Sequence, residues 1–237
     1  MKKEEVRASI ADVGIVPSIR VSTTDDAQFA AEAVMRGGIP IVEITMTVPG
    51  CLDVISHLTK GGPPMIVGAG SVLDLETAHR ALDAGAIFLT SEGLDLEVVD
   101  FAVKQGVVVF PGALTPTEVI RAWQAGSDFV KVVPAAAVGG DAYIKALKAA
   151  LPHVPLIAAG GVNQMTAANF ILAGATALGI GTELIPKAAI QLRQVERIGV
   201  LAKRFLGFVK SAREQMAPPK GGAHEKGHKT SVHPATK

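Results

Sequence analysis

The stretch Gly85–Pro134 reads GAIFLTSEGLDLEVVDFAVKQGVVVFPGALTPTEVIRAWQAGSDFVKVVP. Three short runs, IFLT, VVVF and FVKVV, are rich in β-branched and aromatic residues, and each comes soon after a glycine. A helical-period segment separates one from the next. Glycine ends a helix by entering the left-handed conformation, and the β-branched run after it suits a strand. Gly85 to Gly106 is a step of 21 residues, and Gly106 to Gly126 one of 20. The pattern extends outward. Gly38 leads into IPIVEIT, 47 residues before Gly85, and Gly174 into ATALGIG, 48 residues after Gly126. Both steps are about double, and proline fills each gap as the helix breaker. Pro63–Pro64 precede MIVGAG, and Pro152–Pro155 precede LIAAGG.

With Ile15–Val21 as the first strand, the count is eight strands, each followed by a helix, at roughly 20–25 residues per unit. That count predicts an α/β fold, a single (β/α)8 TIM barrel. A doubly wound sheet is the alternative, but it has no reason to stop at eight equal units. Residues 2–12 are expected to form a short amphipathic helix with Val6, Ile10 and Val13 on one side. A helix over 25–36 can be capped by Thr23, Thr24 or Asp25. The barrel domain is expected over 1–213. Residues 214–237, rich in Lys, Gly, Pro and His, read as a disordered polar tail. Within it His224-Glu225-Lys226-Gly227-His228 matches the zinc-protease string HExxH. That motif needs a stable helix to bring both histidines to one metal, and Gly227 with the surrounding prolines and glycines argues against one.

The composition narrows the function. The 237 residues are 49% hydrophobic with a net charge near +1, so no strong field calls for nucleic acid or an anionic membrane surface. Cys51 is the single cysteine, which excludes an intrachain disulfide and favours a reducing compartment. The opening MKKEEVRASIADVG lacks the apolar run of a secretory signal, and no segment reaches the ~18 apolar residues of a membrane span. A cytoplasmic enzyme is the expectation.

In such barrels the chemistry lies at the C-terminal ends of the strands. Two strands, the second and the sixth, each carry one charge inside an apolar run: Glu43 in IVEIT and Lys131 in FVKVV. Alternation with Ile41 and Thr45, and with Phe129 and Val133, points both inward, and strands of even number share a layer of the interior. Burying an ammonium strips its water and favours the neutral amine, which is a nucleophile towards ketones. Lys131 is therefore a candidate Schiff-base former and Glu43 a candidate general acid/base. A buried structural ion pair is the competing reading, although such pairs are weak devices for stability. Gly160-Gly161 and Gly179-Ile180-Gly181-Thr182 follow strands seven and eight, where bare backbone N–H groups commonly bind phosphate. His57, His79 and His153 are scattered without ligand spacing, so neither a metal nor any other cofactor is expected.

The motifs VEITMTVP (42–49), VGAGSVL (67–73), FPGALTPTE (110–118), VKVVP (130–134) and AGGV (159–162) together resemble the class I 2-keto-3-deoxy-6-phosphogluconate aldolases, a family that includes the 4-hydroxy-2-oxoglutarate and 2-keto-3-deoxy-6-phosphogalactonate aldolases. The resemblance spans about residues 10–210. It implies a homotrimeric barrel that cleaves the phosphogluconate to pyruvate and glyceraldehyde 3-phosphate without a metal. It assigns the Schiff base to Lys131 and the acid/base to Glu43. The carboxylate-binding hydroxyl falls on Ser71, and the phosphate turns on Gly160, Gly161, Gly181 and Thr182. Three positions depart from the family pattern. Thr47 stands where some members carry an arginine for the substrate carboxylate, and Arg20 is the candidate to supply that charge. Glu92 replaces a proline, and Ala158-Ala159 replaces Pro-Thr. Three alternatives stand beside this reading: the phosphogalactonate-cleaving activity, a sugar-phosphate isomerase or epimerase without a Schiff base, and a non-catalytic barrel.

Overall fold

The computed structural model of the chain describes residues 1–62 and 64–217. The elements run α1 (Lys3–Val13), β1 (Ile15–Ile19), α2 (Thr24–Arg36), β2 (Ile41–Thr45), α3 (Cys51–Lys60), β3 (Ile66–Gly70), α4 (Leu75–Asp83) and β4 (Phe88–Thr90). They continue α5 (Leu96–Lys104), β5 (Val108–Phe110), β6 (Gly112–Ala113), α6 (Pro116–Gln124), β7 (Val130–Val132), a 3-10 turn at Ala135–Val138, and α7 (Asp141–Ala150). The last are β8 (Leu156–Ala159), α8 (Ala167–Leu172), β9 (Ala177–Ile180), α9 (Lys187–Gln191) and α10 (Val195–Met216).

All strand pairs are parallel, in the order β5-β4-β3-β2-β1-β9-β8-β7-β6. The two ends of that order are one continuous piece of chain, interrupted at Pro111. Proline has no N–H to give to a ladder, so the fifth stave breaks there into β5 and β6. One half pairs with β4 and the other with β7, and Lys131 N–H donates to the Pro111 carbonyl at 2.9 Å across the seam. Eight staves, the fifth in two segments, thus make the predicted barrel. The reading of Ile15–Val21 as a strand overshoots by two residues, because the chain leaves the sheet after Ile19.

The caps follow the sequence closely. Thr23 Oγ1 accepts from Asp26 N–H at the start of α2, and Asp74 and Asp95 do the same for α4 and α5. α7 stops at Ala150, ahead of Pro152, and Lys148 Nζ donates to the Pro152 and Val154 carbonyls just beyond it. Desolvation holds the Lys148 amine below its ordinary pKa. α10 runs to Met216, past the boundary at 213 that composition suggests. The remainder of the expected tail, with the HExxH string, lies outside the described residues, as does Pro63. Among the described residues no helix is long and apolar enough to cross a membrane.

Three phenylalanines fill the middle of the barrel. Phe88 stacks on Phe110 with centroids 5.3 Å apart, and Phe110 meets Phe129 edge-on at 6.1 Å. All three are fully buried, worth roughly 1.5–3 kcal/mol each. Gly68 lacks a Cβ where one would collide with the Phe88 ring. α1 packs beneath, with the Arg7 guanidinium 5.9 Å from the Phe129 centroid. Lys3 pairs with the buried Asp128 at 3.0 Å, and that carboxylate also accepts from Val109 N–H. The first helix and the aromatic layer therefore form a floor, and Lys131 stands two residues above Phe129 on the same face of its stave.

Candidate active site

Glu43 and Lys131 are both buried, at 3% and 5% relative exposure, on staves two and six, where every residue of β2 and β7 is buried. Glu43 Oε1 accepts from Ser18 Oγ at 3.0 Å. Space for its carboxylate comes from Gly70 on the neighbouring β3, where a Cβ would overlap Glu43 Oε1, Cδ and Cγ. No ion pair joins Glu43 to Lys131 within 4.0 Å, so the competing reading of a structural salt bridge finds no contact to rest on. Among the described residues, Ser127 Oγ is the one fully buried side-chain polar atom without a partner. Glu43 Oε2 and Lys131 Nζ accept or donate no hydrogen bond there either, so both must keep contact with accessible space.

A cavity of about 360 Å³ is lined by Ser18, Arg20, Gly160, Gly161, Gly181 and Thr182, with Val162, Gly179, Glu183 and Ile185 completing its wall; neither Glu43 nor Lys131 is part of that wall, and Glu43 meets it through Ser18. It spans the ends of staves one, seven and eight. Gly160 and Gly161 adopt φ of +78° and +86°, in the left-handed region that admits glycine freely. Side chains there would also strike Pro134 and Ala136, so the paired glycines serve both the turn and the close packing of the next loop. Ser18 joins the two halves of the site: its side chain lines the cavity and donates to Glu43.

At the rim, Arg20 Nη2 lies 3.4 Å from Ser71 Oγ and 3.2 Å from Glu92 Oε1, and Ser71 Oγ donates to the same Glu92 oxygen at 3.1 Å. Ser71 sits at φ +58°, one of two non-glycine residues in the left-handed region among the described residues. Strain of this kind persists where surrounding contacts hold it. Thr47 is exposed and bonds Thr45 Oγ1 at 3.0 Å, and Thr45 in turn donates to the Ile19 carbonyl. The fold therefore brings Arg20, Gly160, Gly161, Gly181 and Thr182 to one cavity, Ser71 to Arg20, and Thr47 only to the side chain of Thr45. Sequence reasoning missed Ser18 and Glu183. Ser18 could have been noticed as the one hydroxyl in IVPSI, two residues before Arg20. His79 packs on Phe101 and His153 on Trp123, and no group of three or more metal-ligating side chains converges among the described residues.

A parallel eight-stave barrel with a buried lysine and carboxylate, and with glycine turns lining a cavity after staves seven and eight, is an α/β barrel of the class whose active sites lie at the C-terminal ends of the strands. The comparisons make this specific. The family model "KDPG and KHG aldolase" matches residues 6–201, and the chain belongs to this family of carbon–carbon lyases. It is 33% identical over 202 residues to the 2-dehydro-3-deoxy-6-phosphogalactonate aldolase of Escherichia coli, covering 84% of this chain and 95% of the relative. It is 32% identical over 187 residues to the 2-dehydro-3-deoxy-phosphogluconate aldolase of Pseudomonas aeruginosa, covering 78% and 85%. A crystal structure of KDPG aldolase from Legionella pneumophila, with pyruvate captured as a covalent carbinolamine, superposes with a TM-score of 0.77 at 28% identity, covering 84% and 96%.

Proposed function

We propose that the chain is a class I aldolase that cleaves 2-keto-3-deoxy-6-phosphogluconate to pyruvate and glyceraldehyde 3-phosphate, with 4-hydroxy-2-oxoglutarate as a second substrate. The observation that carries this is the burial of Lys131 and Glu43 on two staves of one barrel, with no ion pair between them. Lys131 Nζ attacks the C2 ketone to give a carbinolamine, and Glu43 delivers the proton with which water leaves, forming the iminium. The carboxylate then takes the proton of the C4 hydroxyl. The C3–C4 bond breaks, its electron pair entering the iminium to give an enamine, and the aldehyde departs. Protonation at C3 and hydrolysis release pyruvate and restore the amine.

Arg20 and Ser71 hold the keto-acid carboxylate, and the turns at Gly160, Gly161, Gly181 and Thr182 hold the phosphate with backbone N–H groups. Thr47 borders the site through Thr45. The setting we infer is cytoplasmic and the assembly a homotrimer, which light scattering would show as three chains per particle.

Borohydride reduction with pyruvate present tests the mechanism. We expect a stable adduct on Lys131 by mass spectrometry and none in Lys131→Met. Absence of the adduct in the wild type would favour the isomerase or epimerase reading. Turnover of phosphogluconate against phosphogalactonate substrate settles which sugar acid is preferred, since the relatives include both kinds of enzyme.

A further inference from the structure

Among the described residues, the one acidic side chain bonded to the Arg20–Ser71 pair is Glu92, and its geometry is that of a ligand. A single oxygen, Oε1, accepts from both Arg20 Nη2 at 3.2 Å and Ser71 Oγ at 3.1 Å. Those are the two donors to which the proposed reading assigns the keto-acid carboxylate. From the juxtaposition of Glu92 Oε1 with Arg20 and Ser71 at the cavity rim, we propose that Glu92 is a specificity-determining gate, a built-in carboxylate that competes with the carboxylate of the substrate. This inference rests on the aldolase reading above.

Three observations support it. First, Arg20 lines the cavity formed with the glycine turns and also bonds Ser71 and Glu92, so one residue joins that cavity to the rim. Second, Glu92 neutralises that guanidinium in the free protein, and an incoming carboxylate meets a like charge unless Glu92 withdraws. Third, the Glu92 side chain is 42% exposed and that of Arg20 58%, so Glu92 can swing into solvent without crossing packed structure. Binding then becomes an exchange of one carboxylate for another on the same donors. An uncharged ligand at the same ketone makes no such exchange. The gate therefore acts on charge: it weakens binding of keto acids and leaves keto amides unaffected.

The test measures the concentration of ligand that half-saturates borohydride labelling of Lys131, for pyruvate and for pyruvamide, its uncharged analogue. In Glu92→Gln we expect the value for pyruvate to fall about fivefold, the scale of one partly exposed ion pair, and that for pyruvamide to stay within about twofold. Glu92→Ala should give the same ratio, which guards against a peculiarity of either variant, and melting temperatures confirm that both fold. An unchanged or raised value for pyruvate would overturn the gate, a rise meaning that Glu92 instead positions Arg20. So would an equal shift for both ligands, which would make the effect steric. If wild-type protein gives no adduct at saturating pyruvate, the aldolase reading itself fails and the gate with it. An adduct without charge discrimination removes the gate alone.

Discussion

Gly70 has space for a hydrogen where any other residue would place a Cβ against the Glu43 carboxylate. Its backbone is ordinary strand, so the constraint is volume and not conformation. Gly70→Ala must push the carboxylate aside, and an acid/base group displaced by about 1 Å costs on the order of a hundredfold in rate. We expect kcat to fall by about that factor while KM for the keto acid changes little, as steady-state kinetics would show. Arg20→Ala should do the opposite. Removing one charge-assisted hydrogen bond of roughly 1.5–3 kcal/mol raises KM for pyruvyl substrates by at least about tenfold. An unchanged KM would exclude Arg20 as the carboxylate anchor. Glu43 and Lys131 were legible in the sequence because each is one charge in an otherwise apolar run. Ser18 was not, because one serine in a strand makes no pattern, and its bond to Glu43 joins residues 25 apart. Thr47 illustrates the opposite case: resemblance marked the position, but the side chain there turns to Thr45.

The loop after the fifth stave shows how an element holds the mouth of the barrel. Glu118 Oε2 accepts from Leu114 N–H at 2.8 Å, Thr115 N–H at 2.7 Å and Thr115 Oγ1 at 3.0 Å, and Thr115 Oγ1 accepts from Glu118 N–H in return. This capping box starts α6, with Pro116 at the first helical position. Tyr143 on α7 donates its hydroxyl to the Leu114 carbonyl, and burial, with the Glu118 charge added, raises the pKa of that phenol. The hydrogen bonds from Thr115, then Leu114, hold the Glu118 carboxyl below its ordinary 4.5. A depressed carboxylate contributes stability that is fully present above its unfolded pKa and is lost as pH falls through its folded value. Glu118→Gln should therefore cost about 1 kcal/mol in urea melts at pH 7, and the gap to wild type should close as pH falls well below 4.5. A gap of the same size at pH 3 would remove the charge from the account. T-P-T-E is a capping signature that sequence alone displays. The clasp by Tyr143 is not legible, because it joins residues 29 apart through a tertiary contact.

At the scale of the molecule, the eight-fold cadence was readable because each helix from α2 to α8 is followed within two residues by a glycine or a proline. The break of the fifth stave could be read only in hindsight: FPG resembles a strand end, whereas Pro111 lies at the seam and its carbonyl still serves the ladder. How α1 and α10 meet was invisible in sequence. Arg213 on α10 reaches across 201 residues to the Asp12 carbonyl at 2.5 Å, and its other terminal nitrogen donates to Ala11 at 2.6 Å and Thr176 at 3.0 Å. It thus ties the C-terminal turn of α1 and the entry to β9 to the last helix. α1 carries the floor beneath Phe129, so this one side chain couples barrel closure to the layer under Lys131. Gly14, in the left-handed region at the end of α1, leaves the space: a Cβ there would strike Arg213 and Val209. Arg213→Ala strands partly buried carbonyls, each costing roughly 1–3 kcal/mol when left unsatisfied. We expect the urea midpoint to fall with the slope unchanged, because the barrel still unfolds as one unit. A second, earlier transition would show instead that α1 and its floor detach independently of the barrel, and that Arg213 fastens an appendage and not a wall.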